Sequence, residues 1–417
     1  MRIVKAVVMS EHSSVGGVRL VSLFIIFLLS SMIYSPKVLA ESEWEEDGWL
    51  KTSLAQERLN KGDEFGCYGM QGLSWQNDPG AVALECREYI EDRLIANRWG
   101  DNPISTFTPD SLTQTQHEQI SRQGFMVHGD NTGAQSSAWH SVSDKPLDMW
   151  DWYNLGRRGG SLEQIVGSKE QVETAVNEGG LVNLYWIGRV NDATIRHDRD
   201  IEEYISEDAE AWLTTWGQAW SYWATTRCYQ IDHSISSVGE NYVLSFESLI
   251  TEECTNLIPE RWNLPVTWII DINQSEVLSI AAESGILDDI TGERHTKEGY
   301  MIDDGQYLHL SIVNGNRANI TIEQNEYDIR GISEFWNNHS AAITIAAHET
   351  TDLFKWSKRF VDQDDLVFTW LVQPRPLDGE SNWIPYVAFS VGVGVIITML
   401  LVLKREGLGP LAKKDEQ

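Results

Sequence analysis

Apolar positions recur along this chain with several periods, and each period predicts a different element. Val82, Cys86, Ile90 and Leu94 fall every four residues, on one face of a helix that Asp78 can cap and Pro79 can open. Cys86 is thereby expected to face the core. Trp49 to Leu59 predicts a shorter amphipathic helix, and Lys61 to Cys67 a turn-rich acidic loop. His117 to Gln123 predicts a helix, and Phe125 to His128 a short strand ending at Gly129 and Asp130. Leu162 to Asn177 has a helical pattern that Gly179 and Gly180 stop. Leu181 to Ile187 is a continuous apolar run, and Ala211 to Trp216 another, before a helix through Arg227.

Continuous apolar strands alternating with helices predict a parallel sheet buried on both faces, whose ligands gather beyond the carboxyl ends of its strands. His128, Asp130, Gly188, Arg189, Asn191, Asp192, Trp216 and Gln218 are the polar or aromatic residues expected there. From Leu264 the period shortens to two: Leu308, Leu310 and Ile312 alternate with polar residues, as do Ile320 and Ile322, and then Leu366, Phe368, Trp370 and Val372. With Val266 to Ile272 and Ala342 to Ala347, and a hairpin signal at Asn314-Gly315, this predicts an antiparallel β-sandwich.

The last pattern is a run of twenty residues, Ile384 to Leu403, without a charge. It predicts a membrane-spanning helix, flanked by Trp383 and Tyr386 on one side and by Lys404, Arg405, Lys413 and Lys414 on the other. At the opposite end, Arg2 and Lys5 precede, and Arg19 lies at the head of, the apolar stretch Val18 to Ile33, and Val38-Leu39-Ala40 offers a cleavage site, so residues 1–40 read as a secretory signal, with an uncleaved first membrane helix as the alternative. The expected organisation is α+β and multidomain: signal 1–40, α/β ectodomain 41–262, β-sandwich 263–373, linker 374–383, transmembrane helix 384–403 and cytoplasmic tail 404–417. That places the protein in a cell membrane as a single-pass chain with its bulk outside, touching lipid through residues 384–403.

Charge narrows the partners. The chain carries 32 Lys and Arg against 62 Asp and Glu, with the excess between the two apolar ends, which disfavours nucleic acid. The four cysteines, Cys67, Cys86, Cys228 and Cys254, suit two disulfides in an oxidising compartment. Of three pairings, neighbours in the chain close the shortest loops, and zinc is the alternative use. Asn273, Asn319 and Asn338 each open an Asn-x-Ser/Thr triplet and are candidate glycosylation sites.

Candidate chemistry comes from two groups. Thirteen of the eighteen tryptophans precede Leu264, and Trp216, Trp220 and Trp223 recur at helical spacing as a packed stripe would. Trp150, Trp152 and Tyr153, beside Asp148, Asp151, Arg157 and Arg158, are instead expected in an open loop, Leu147 to Gly160, where a surface glycan can stack. The second group is Asp63 and Glu64 with His128 and His140, a set that can hold a divalent metal whose water becomes a nucleophile.

On those residues, with the stretch Gln123 to His128 (QGFMVH) and the later Ala211 to Trp223 (AWLTTWGQAWSYW), residues 61–227 resemble polysaccharide deacetylases. The resemblance implies a deformed α/β barrel, Asp63 as catalytic base, and Glu64, His128 and His140 as metal ligands. Glu64 stands where that family has Asp, His128 and His140 lie further apart than the family's pair, and its late Leu-to-His motif is replaced by Leu184-Tyr185-Trp186. More broadly the chain resembles acidic, membrane-anchored cell-surface proteins of archaea, which implies a location and no reaction. An esterase arrangement fails for want of a nucleophile, since Gly62-Asp63 is followed by Glu64. Two functions follow from sequence: a surface binding or structural module, and as alternative a metal-dependent carbohydrate hydrolase.

Overall fold

The structure, a computed structural model, describes residues 52–97, 102–109, 112–129, 151–153, 167–187, 199–251, 263–348, 365–374 and 383–405. The chain divides into two compact units, one from Gly48 to Arg375 and one containing the C-terminal helix.

The larger unit begins with α1 (Thr52–Lys61), β1 (Glu64–Cys67), α2 (Pro79–Glu91), β2 (Ser105–Phe107), α3 (Gln114–Ser121), β3 (Val127–Gly129) and β4 (Asp151–Tyr153). It continues through α4 (Lys169–Glu178), β5 (Gly180–Ile187), α5 (Arg199–Glu203), β6 (Trp212–Thr214) and α6 (Trp216–Cys228). α2 starts as its sequence predicts, the Asp78 carboxylate accepting the Ala81 N–H at 3.0 Å ahead of Pro79. Thr113 with Gln116 and Ser168 with Gln171 form capping boxes on α3 and α4, each satisfying two backbone donors that a helix start leaves open.

Nine antiparallel strands follow: β7 (Tyr229–Val238), β8 (Asn241–Ile250), β9 (Val266–Asp271), β10 (Val277–Ala282), β11 (Gly285–Ile286), β12 (Gly299–Asp303), β13 (Tyr307–Ile312), β14 (Arg317–Ile322) and β15 (Asp328–Ile332). The chain then returns through β16 (Ala341–His348) and β17 (Thr369–Val372).

The parallel strands form an eight-stranded sheet in the order β4-β3-β2-β1-β17-β16-β5, with β6 also paired to β16. The last strand in the chain, β17, lies beside the first, β1, from Glu64 opposite Thr369 to Cys67 opposite Val372. This places both chain-terminal strands of the sheet at its centre. β1 and β2 approach so closely at Gly66 that a Cβ there would stand 2.4 Å from the Ser105 carbonyl oxygen. Lys61 to Cys67, expected as a loop, thus contains a central buried strand.

The antiparallel strands make two sheets, β11-β10-β14-β8-β7 and β12-β13-β9-β15. Leu244, Phe246, Ile280 and Ile320 of the first and Trp268, Ile270, Leu308 and Leu310 of the second belong to one buried cluster, and the Phe246 and Trp268 rings meet edge to face at 5.4 Å. α6 joins this cluster to the parallel sheet, packing on β3, β16 and β9. Trp216, Trp220, Tyr222, Trp223 and Ala224 are all buried, and so are Gln218, Ser221 and Thr225, so the helix is enclosed on every side within the core. Tyr222 fixes its distance from the second sheet, donating to the Ser333 carbonyl at 3.0 Å.

Two expectations are corrected. The sandwich does not follow the α/β region but is inserted into it: Ala342 to Ala347 and Thr369 to Val372, read as sandwich strands, pair in parallel with β5 and β1. Period-two alternation reports one buried face and does not say which sheet owns the strand. Asn314-Gly315 likewise makes a turn, with Asn316 N–H bonded to the Val313 carbonyl, but β13 and β14 on either side enter different sheets and form no hairpin.

The second correction concerns the membrane. The stretch Ile384 to Leu403 lies within α7 (Trp383–Arg405), yet among the described residues no helix is long and apolar enough to cross a membrane. The expected transmembrane helix, its lipid contact and the single-pass membrane localisation are set aside on this finding.

Candidate ligand-binding site

Alternation along the parallel strands sends every second side chain to one face of the sheet. That rule groups Glu64, Gly66 and Tyr68; Ser105 and Phe107; Leu181, Asn183 and Tyr185; Ala342, Thr344, Ala346 and His348; and Thr369 with Leu371. At the amino ends of the strands this face is polar and sealed. Glu64 accepts from Ser105 Oγ, Thr369 Oγ1 and the Gly217 N–H, each at 2.9 Å. One turn higher, Thr344 bonds to Asn183, both buried.

At the carboxyl ends the same face becomes aromatic. Tyr68, the residue after β1, stacks on His348 at the end of β16 with centroids 4.1 Å apart, and on Phe107 at the end of β2 at 5.2 Å. Tyr185 of β5 stacks on Phe107 at 5.6 Å and leans on His348 at 4.9 Å. Tyr68 and Phe107 are half-buried, whereas Tyr185 and His348 are buried. Four strands distant in sequence thus bring their terminal rings into one platform, two of whose members remain open to solvent.

The platform is held from behind. The Tyr68 N–H bonds to the Val372 carbonyl at 2.8 Å, and its own carbonyl accepts from Trp75 Nε1 at 3.0 Å. The preceding residue, Cys67, is disulfide-bonded to Cys86 on the buried face of α2, Cα atoms 6.1 Å apart. This is the first of the two expected bridges; the expected partnership of Cys228 with Cys254 lies outside the described residues.

The residues expected to bind metal are otherwise employed. Asp63 is fully buried and accepts from Arg58 Nε at 2.6 Å, Trp370 Nε1 at 2.5 Å and the Phe368 N–H at 3.0 Å. Burial pushes its carboxyl above the usual range, while Arg58 and these donors pull it back. Burial also raises the Glu64 carboxyl, against its hydrogen bonds from Gly217, Ser105 and Thr369. His128 projects from the other face of β3: Nε2 donates to the Phe125 carbonyl at 3.1 Å, so Nδ1 accepts from His117 Nδ1 at 2.9 Å. Burial and the neighbouring His117 depress its pKa to about 3. Among the described residues no group of three or more His, Cys, Asp or Glu is placed to hold a metal ion. His140 lies outside the described residues.

The expected binding loop falls mostly outside them too: Trp150, Arg157 and Arg158 are not described, and Trp152 and Tyr153 are placed only as backbone in β4. Trp216 and Gln218, expected at strand ends facing ligand, are buried, with Gln218 Nε2 donating to the Gly62 carbonyl at 2.8 Å. Asn273, Asn319 and Asn338 all expose their side chains. Tyr68, Phe107, Tyr185 and His348 went unrecognised in sequence, although each ends or nearly ends a parallel strand, the position at which such sheets present ligands.

No family model, no curated protein and no solved structure matches this chain.

Proposed function

We propose that the Gly48–Arg375 unit is a binding module for a glycan, held at the carboxyl ends of the parallel strands. The observation that carries this reading is the platform of Tyr68, Phe107, Tyr185 and His348. Aromatic faces offer large, rigid contact area at little entropic cost, and sites of this kind combine such faces with a few polar groups at the mouth of a barrel-like sheet. The His348 imidazole and Tyr68 phenol supply that polarity. The Cys67–Cys86 bridge suits an oxidising compartment, where extracellular glycans are met. The hydrolase alternative draws no support from Asp63, Glu64 or His128, whose polar atoms serve the fold.

Retention of the full-length chain in native gels containing chitin fragments, mannan or soluble cellulose derivatives tests the reading. The wild type should be slowed by at least one polymer, and Tyr68→Ala and Phe107→Ala should run freely while melting within a few degrees of wild type. Free migration of the wild type in all of them, or unchanged retention of both folded variants, overturns it.

A further inference from the structure

β7 ends the five-stranded sheet, and its ten residues pair with β8 along one side only. Among the described residues, no other backbone group bonds to it. An edge of this length is a template for another strand unless something blunts it. The usual devices are scarce here: β7 (YQIDHSISSV) has no proline, no lysine and one acidic residue, Asp232. Its core-facing isoleucines are left incomplete as well. Ile231 and Ile235 pack against the buried cluster but remain half-exposed, beside His233, which bonds across to Tyr327 Oη at 2.8 Å.

We propose that two copies of this chain associate through β7, antiparallel about a two-fold axis at His233, so that the two five-stranded sheets become one continuous sheet. The sequence of the strand is self-complementary in this register. Centred on His233, Ile231 of one copy stands opposite Ile235 of the other, and the symmetry repeats the pair. Asp232 meets Ser234 and Gln230 meets Ser236, so no like charges face each other. A shift by one residue would turn the two cores to opposite faces of the joined sheet and set Asp232 against Ile235. The partner is therefore a second copy, since the same strand supplies both halves of each favourable pair.

Two measurements on the full-length chain test this. His233→Cys places directly opposed Cβ atoms about 5 Å apart across the axis, within reach of a disulfide or a short bis-maleimide, whereas Ser236→Cys separates its copies by several residues. A covalent dimer from the first variant and none from the second is expected. In sedimentation equilibrium, Ser234→Asp sets a carboxylate against Asp232 twice and should weaken the dimer about fivefold, and Ser234→Lys should tighten it by a similar factor. A monomer at all concentrations, equal crosslinking of both cysteine variants, or a dimer indifferent to both charge changes overturns the proposal.

Discussion

The Glu64 carboxylate, buried at the start of β1, accepts the backbone N–H of Gly217 in the first turn of α6 at 2.9 Å. That bond ties the first parallel strand to the helix that joins the two sheet systems, across a sequence separation of 153. The helix end provides partial positive charge for the carboxylate, and the carboxylate satisfies a donor that would otherwise be buried without a partner.

Replacing it should therefore be a stability defect. Glu64→Ala leaves the Gly217, Ser105 and Thr369 donors without their acceptor and should cost about 3 kcal/mol in urea denaturation. Glu64→Gln, which keeps one acceptor oxygen, should cost less. Equal stability of Glu64→Ala and wild type would mean that the carboxylate does not organise the base of the sheet.

The buried pair of His117 and His128 should make the fold sensitive to acid. The folded-state pKa of His128 is depressed to about 3, below the value of about 6.5 expected in the unfolded chain. Between those values the unfolded state binds the proton and the folded state does not, so stability is full above about pH 6.5 and falls as pH drops toward 3. Thermal melts across that range should show the decline, and His128→Leu should flatten it. A variant that declines as steeply as wild type would assign acid sensitivity to other groups.

Reduction of the Cys67–Cys86 bridge should act on stability and on binding together. The bridge spans 19 residues and should contribute about 3 kcal/mol by restricting the unfolded chain. Because Tyr68 is bonded directly to Cys67, Cys86→Ser should also weaken glycan retention well below the temperature at which the variant melts. Loss of stability with retention intact would separate the bridge from the platform.

Trp220 should behave as core and not as ligand surface. It is 2% exposed within the cluster joining the sheets, so Trp220→Ala should cost about 3 to 5 kcal/mol and lower the melting temperature by several degrees. A stable Trp220→Ala variant that had lost retention would move the site away from Tyr68 and Phe107.

The sequence by itself determined the elements whose signals lie within a few residues. Asp78 and Pro79 start α2, the four-residue spacing buries Cys86 within reach of Cys67, and the apolar run at Leu181 becomes β5. Those features depend on local torsions, caps and periodicity, which each segment carries with it. The tertiary structure alone decided which strands are neighbours. Asn314-Gly315 turns the chain, but packing around Phe246 and Trp268 sends its two flanking strands into different sheets. Glu64 and Gly66 look like loop residues until three side-chain or backbone donors and the close approach of Ser105 make a central strand of them. The rings of Tyr68, Phe107, Tyr185 and His348 come from four strands spread over 281 residue positions, and no window of sequence contains them together. Long-range pairing is fixed by the burial of shared surface, a property that no segment possesses before the others have folded against it.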